Sequence, residues 1–239
     1  MKSLKILKGK SYYSRFQVKW RRRREGKTDY YFRKRIISQD KRKYNSPKYR
    51  VVVRISKHNI LCQFVSSNIE GDKVINSSYS KKLSKFGILF GFTNFPSAYL
   101  CGIYLSKSIL SGKNILTKSH FFLNQAVSQT IKASLDIGLT RATAGHKVFA
   151  CMKGVIDGGI AIPHSEKKYP GYSLEKGFDP LMLKYRIKGE HIYDYMKNLK
   201  EEDENKFNKY FSSSIKHEIS PSIYKDLYHS LVTKLIESY

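Results

Sequence analysis

Apolar and polar positions change period several times along this chain, and each change marks an expected element. Over residues 1–27 no apolar period is sustained, and basic and aromatic residues mix irregularly, as in an extended arm that orders on a partner. A helix is expected next. Thr28 or Asp29 can cap it, and Tyr31, Ile36, Ile37 and Tyr44 can face a core while Arg33, Lys34, Arg35, Lys41, Arg42 and Lys43 project elsewhere. Asn45, Ser46 and Pro47 then end it.

Beyond this helix the period drops to two. Val51, Val53 and Ile55 alternate with Arg50, Val52 and Arg54, and residues 60–65 form a second β-rich run after the Lys57, His58, Asn59 turn. Glu70, Gly71 and Asp72 make another turn before a third strand over residues 73–79. A helix over residues 95–110, with Tyr99, Gly102, Ile103 and Ile109 at helical spacing, is expected to cover one face of this sheet.

Residues 112–130 are ambiguous, residues 131–137 read as a further strand, and a Gly-rich turn leads into a helix over residues 145–157 that Gly158 and Gly159 stop. From Pro180 onward the pattern is helical, and Pro221 starts a final helix carrying Ile223, Leu227, Leu231 and Leu235. Strands alternating with helices imply an α/β fold with a layered core: a mixed β-sheet flanked by helices. The expected organisation is a basic N-terminal arm over residues 1–27, the core over 28–178 and a helical C-terminal extension over 179–239.

Composition changes the picture at two places. Residues 86–106 carry no charge, a length that could in principle span a bilayer. Gly87, Gly91, Thr93, Asn94 and Pro96 interrupt its first half, and Asn94 before Phe95 and Pro96 reads as a helix cap, so a buried helix is expected instead. The apolar residues between Leu4 and Leu7 are interrupted by Lys5, too short a stretch for a secretory signal. Cys62, Cys101 and Cys151 are widely spaced and form no Cys-x-x-Cys pair, which suggests neither a disulfide framework nor a cysteine zinc site and points to a reducing, intracellular setting.

The second place is the arm. The first 50 residues hold 19 of the 45 Lys and Arg but only the acids Glu25, Asp29 and Asp40, so they carry +16 of the formal +26. A polyanion is the expected partner. Nine of the 12 arginines lie there, including Arg21, Arg22, Arg23 and Arg24, and guanidinium forks match phosphate oxygens in pairs. Tyr12, Tyr13, Phe16, Trp20, Tyr30, Tyr31 and Phe32 are interleaved with the charges and offer planes for stacking, which favours RNA over an anionic membrane surface.

Other constellations are weaker. Residues 138–147 lie between a strand and a helix, but six residues separate Gly138 from Gly145, His146 precedes Lys147, and Val148 replaces the hydroxyl of a nucleotide-binding phosphate loop. Amides at a helix N-terminus beside Thr140, Arg141, Thr143 and Lys147 still suit a phosphate of RNA. Asp136, Asp157 and His164 offer an alternative reading as a Mg²⁺-dependent RNA-processing site. Asp157 before two glycines reads more simply as a helix end, and His164 beside Pro163 as a turn residue. No His-x-x-x-His spacing supports a zinc hydrolase, and the charge run over residues 200–206 reads as a solvated face.

A run of ordered motifs carries a family resemblance. The stretch Arg15-Phe-Gln-Val-Lys-Trp-Arg-Arg-Arg-Arg-Glu-Gly-Lys-Thr-Asp-Tyr-Tyr31, continuing to Tyr49-Arg-Val-Val-Val-Arg54, closely resembles the 5S-rRNA-binding protein family of the eukaryotic large ribosomal subunit, family eighteen in the universal scheme. Gly91-Phe-Thr-Asn-Phe95, Asp136-Ile-Gly-Leu-Thr-Arg-Ala-Thr-Ala-Gly145, Lys147-Val-Phe149, Lys153-Gly154, Asp157-Gly-Gly159, Ile162-Pro-His-Ser165 and Tyr169-Pro-Gly171 follow in the family's order. The likeness covers most of residues 10–235. It departs in the tract over residues 112–130, which is short and divergent, and in ending at Tyr239 without the long basic tail usual in the family.

The resemblance implies a structural, non-catalytic constituent of the large subunit that binds 5S rRNA and anchors it in the central protuberance. No cofactor, metal, membrane or small-molecule substrate is expected. The implied partners are 5S rRNA, large-subunit rRNA and neighbouring ribosomal proteins, including the other 5S-associated protein. The implied location is the cytoplasmic ribosome, reached through the nucleus and nucleolus during assembly. Arg15, Arg21, Arg22, Arg23, Arg24, Lys27 and Thr28 are the arm's candidates for RNA contact. Arg33, Arg50, Arg54 and Asn94 are further candidates, as are Thr140, Arg141, Thr143, Lys147, Lys153 and His164.

Overall fold

The computed structural model describes residues 8–41, 48–68, 70–111 and 131–237. The expectations for Arg42, Lys43, Tyr44, Asn45, Ser46 and Pro47, and for residues 112–130, lie outside them, as do the side chains of Ile37, Lys41 and Leu235.

Three consecutive strands, β1 (Tyr49–Ile55), β2 (Ile60–Ser67) and β3 (Asp72–Tyr79), pair antiparallel, and β4 (Ala133–Asp136) joins β1 in parallel to give a mixed sheet in the order β3-β2-β1-β4. The alternation in β1 decides the layers. Val51 and Val53 enter the main core with Ile60, Cys62 and Phe64 of β2, while Arg50, Val52 and Arg54 face the opposite side.

Short helical turns α1 (Lys10–Ser14) and α2 (Arg21–Arg24) lie in the arm, which is therefore not extended throughout. In α3 (Tyr30–Lys41), Asp29 rather than Thr28 is the cap: its Oδ1 accepts from the amides of Tyr31 and Phe32 at 3.1 and 3.2 Å. Ile36 is buried as expected, but Tyr31 is 65% exposed and lies under the Arg35 guanidinium instead of facing the core.

On the sheet's other side α4 (Phe95–Ser111) crosses α5 (Lys147–Asp157) so closely that backbone meets backbone. A Cβ on Gly102 would stand 2.2 Å from the Cys151 carbonyl oxygen, and one on Gly154 would stand 2.1 Å from that of Tyr99.

The remaining helices are α6 (Pro180–Lys188), α7 (Glu190–Glu202), α8 (Glu204–Tyr210), α9 (Ser212–Lys216) and α10 (Pro221–Glu237), with a small hairpin, β5 (Tyr172–Ser173) and β6 (Gly177–Phe178), before them. Their apolar residues Met196, Leu199, Phe207, Tyr224, Tyr228 and Leu231 form a second core with Leu83, Ile88 and Leu100. Leu100 belongs to α4, whose Tyr99, Cys101 and Ile103 belong to the main core, so α4 is buried between two cores rather than covering a sheet with one face. That placement accounts for the absence of charge over residues 95–106. Among the described residues no helix is long and apolar enough to cross a membrane.

The final helix buries Leu231 and packs Leu227 against the second core as expected, but two tyrosines replace Ile223 on the inward face. Tyr224 and Tyr228 face inward because their hydroxyls meet Asn94 Nδ2 and Ser97 Oγ, each at 2.8 Å, whereas Ile223 is 49% exposed.

The face of the sheet away from α4 carries a chain of ions. Arg33 Nη1 of α3 donates to Asp72 Oδ2 at 2.7 Å, and Arg50 Nη2 shares that oxygen. Arg50 Nη1 lies 3.3 Å from Asp136 Oδ2, and Arg54 Nη2 lies 2.9 Å from Asp136 Oδ1. Arg50 and Asp136 are only 8% and 6% exposed, so this chain holds β3, β1 and β4 to one another and α3 to all three.

The ion chain and the helix crossing should each respond to substitution in a definite way. Asp136→Asn leaves Arg50 and Arg54 sharing no carboxylate at that end and should cost about 3–5 kcal/mol, as for a broken buried pair. Arg50→Met leaves Arg33 on Asp72 and Arg54 on Asp136 and should cost clearly less; urea denaturation of the two variants checks the order. Gly102→Ala and Gly154→Ala each force the α4–α5 crossing apart, and each should lower stability by about 1–3 kcal/mol or more in the same assay.

Candidate nucleic-acid interface

Every described residue from Lys8 to Lys27 is exposed. The arginine run is wound into the single turn α2, so successive guanidiniums point about 100° apart and radiate instead of forming one stripe. Local partners hold this turn. Arg21 Nε bonds Glu25 Oε1 at 2.9 Å, Lys27 Nζ reaches Glu25 Oε2 at 2.7 Å, Arg22 Nε donates to Thr28 Oγ1 at 2.8 Å, and Arg24 Nε donates to the Lys19 carbonyl at 2.9 Å. Hydrogen bonds from Lys27 and then Arg21 hold the Glu25 carboxyl below its ordinary range. Thr28 Oγ1 thus receives a guanidinium of its own chain.

Several aromatic planes of the arm also have neighbours. Trp20 meets Tyr30 edge to face at 4.5 Å yet remains 69% exposed, Tyr12 and Phe16 lie 5.8 Å apart, and Lys8 Nζ sits 3.9 Å above the Tyr12 ring. Arg15 closes α1 and is exposed. The arm therefore presents guanidiniums and rings together, on a segment with no buried residue in either of its helical turns.

A second basic surface lies at the C-terminal ends of β1 and β4. Gly138 takes a positive φ of 66°, a conformation that suits glycine, and its amide donates to Asp136 Oδ1 at 2.9 Å. Arg54 completes the join, donating to the Asp136 carbonyl at 2.9 Å and lying against Gly138. The loop beyond exposes Thr140, Arg141 and Thr143, and Lys168 Nζ ties it down through the Ala142 carbonyl at 3.0 Å. Lys147 opens α5 half-buried. The helix amides there are not all free, because His146 is the N-cap and its Nδ1 accepts from Val148 N at 3.2 Å. Burial and the neighbouring Lys147 hold the His146 pKa below its ordinary value, which suits a neutral ring acting as acceptor.

The other candidates scatter. Arg50 is buried between Asp72 and Asp136, so its guanidinium serves the fold and is withdrawn from any RNA-facing surface. Arg33 and Arg54, each with a side chain about a third exposed, have one edge in the same ion chain. Asn94 donates to Tyr224 and belongs to the C-terminal helix contact. Lys153 pairs with Asp157, which also accepts from Tyr99 at 2.8 Å. With Asp136 held by arginines and Asp157 by Lys153 and Tyr99, the nuclease arrangement is not assembled. No group of three His, Cys, Asp or Glu among the described residues could hold a metal ion.

His164 is exposed and bonds its own loop, Nδ1 to the Ile162 carbonyl at 2.8 Å. It lies at the rim of a cleft of about 690 Å³, whose lining takes residues from the separate Tyr49–Arg54 and Ile162–Ser165 motifs. The cleft forms where Lys132 and Ala161 bridge in parallel, beside Lys48 and Tyr49 at the start of β1. Nothing local announces it, because the pairing joins segments 29 residues apart (161 minus 132).

Comparison with known proteins matches this arrangement to one family. Residues 14–165, which include the arm's arginine run, the sheet, α4, α5 and His164, match the model of the ribosomal large subunit proteins 60S L5 and 50S L18. The chain is similar to the large ribosomal subunit protein uL18 of Styela clava, with 42% identity over 237 residues covering 94% of this chain and 80% of that protein. It is equally similar to the uL18 of Suberites domuncula, with 42% identity over 247 residues covering 98% of this chain and 84% of that protein. The chain belongs to the family of ribosomal large subunit proteins 60S L5 and 50S L18, and is a structural component of the ribosome rather than an enzyme.

Proposed function

We propose that this chain binds 5S rRNA and anchors it in the central protuberance of the large subunit. The observation that carries this reading is the arm: residues 1–27 hold 11 Lys and Arg against the single acid Glu25, and its described part, Lys8 to Lys27, is wholly exposed. Such a segment repels itself unless a polyanion neutralises it. Guanidiniums radiating from α2 suit phosphates on more than one wall of an RNA groove, and the exposed Trp20 and Tyr13 suit unpaired bases.

The loop bearing Thr140, Arg141 and Thr143, fixed to the sheet by Arg54 and Asp136, supplies a second and rigid set of contacts. Arg15, Lys27 and Lys147 extend these surfaces, while Arg33 and Arg54 add their outer edges. Large-subunit rRNA and neighbouring ribosomal proteins, including the other 5S-associated protein, complete the partners. The working location is the cytoplasmic ribosome, after passage through the nucleus and nucleolus.

The test is the salt dependence of binding to purified 5S rRNA. With about 6–10 phosphates neutralised, affinity should fall about 10³- to 10⁵-fold between 50 and 200 mM salt on duplex-like RNA. Arg22→Ala with Arg23→Ala should weaken binding and flatten the slope by about one unit for each phosphate left without its cation. An unchanged slope in that variant contradicts the proposed clamp.

A further inference from the structure

We infer that the cleft between β1, β4 and the loop over residues 160–164 is a seat for one unstacked nucleotide of the bound RNA. This rests on the RNA-binding function proposed above and adds to it a site with no arm residue among its described lining.

The chemistry of the walls selects the occupant. The floor and sides are apolar: Ala133, Ile156, Ala161, Ile162 and Pro163, with the Tyr49 ring held in a fixed plane by stacking on Phe64 at 4.9 Å. Among the described residues the polar side chains on the lining are Lys48, Lys132, His164 and the Tyr49 hydroxyl, with no carboxylate. An apolar slot with a cationic rim fits a flat base carrying a phosphate, and it disfavours an acidic metal site or a basic peptide. A volume of about 690 Å³ is ample for a nucleotide.

His164 adds a reading of the sugar. Its Nδ1 lies 2.8 Å from the Ile162 carbonyl, which can only accept, so Nδ1 carries the hydrogen. In the neutral ring Nε2 is then an acceptor, matched to a ribose 2′-hydroxyl donor. The backbone offers less. Ala161 spends its amide on the Ile131 carbonyl and its own carbonyl on Ala133 N, both at 2.9 Å, so the seat stacks a base more than it reads one. It should therefore tolerate any base and prefer ribose to deoxyribose.

The experiment uses the full chain and 5S rRNA carrying 4-thiouridine, with affinity measured across salt concentrations and photoadducts mapped by mass spectrometry. Ala161→Phe fills the cleft without altering charge; it should lower affinity about 5- to 100-fold, the range for loss of one stacked base, with the salt slope unchanged. Lys132→Ala with His164→Ala, both at exposed positions, should flatten the slope by about one unit. Adducts should appear on peptides containing Tyr49 or residues 160–164.

Wild-type affinity in both variants, with adducts confined to the arm, overturns the seat while leaving the arm's function intact. Reduced thermal stability with unchanged RNA affinity also overturns it, and assigns the cleft to packing by this chain's own residues. Failure of the unmodified chain to bind 5S rRNA overturns the function itself and the seat with it.

Discussion

The chain of charges Arg33–Asp72–Arg50–Asp136–Arg54 sets the order of everything around it. Two carboxylates serve three guanidiniums across one face of the sheet, and the innermost members are almost fully withdrawn from water. Such an arrangement is weak as a source of net stability, because desolvation consumes most of the attraction, but it is intolerant of losing the Asp136 carboxylate. Its value here is geometric. One end grips α3, the helix that continues from the arm; the other end fixes Gly138 and the loop carrying Thr140, Arg141 and Thr143. The two basic surfaces are thereby held on one scaffold.

On the opposite face the constraint is steric. The α4–α5 crossing depends on two glycines whose missing side chains let each helix rest on the other's carbonyls. Because α4 is enclosed by the main core on one side and by the C-terminal helices on the other, it carries no charge before Lys107, in its last turns. A sequence that looks membrane-like thus reflects a helix surrounded by protein. The tyrosines of α10 complete that enclosure and satisfy their hydroxyls on Asn94 and Ser97 at the start of α4.

Features with a local cause were legible in the sequence: the three strands and their turns, the α4 and α5 helices, the Gly158–Gly159 stop and the basic arm. Features that depend on distant partners were not. Asp72 reads as a turn residue, yet it accepts from Arg33 and Arg50, 39 and 22 residues away. Arg50 reads as an outward cation because it alternates with core valines, but the face it enters is covered, and Asp136 meets it from 86 residues on. Ile223 fits a helical stripe better than Tyr224 by hydropathy; buried hydroxyl partners reverse the preference. The arm reads as extended because it has no apolar period, while Arg21–Glu25 and Arg22–Thr28 contacts suffice to wind one turn.

Charge placement joins fold to function. A chain with a formal excess of +26 can keep a folded core when much of that excess stands on a segment clear of it. On the proposed RNA-binding role, the arm is the part left to order, since the sheet and its loop are already in place. Hydrogen exchange of the full chain with and without saturating 5S rRNA tests this most directly. The expected result is slowed exchange at residues 8–41 and 139–146, with α4 and α5 unchanged. Unaltered exchange throughout the arm while the RNA is bound would contradict it.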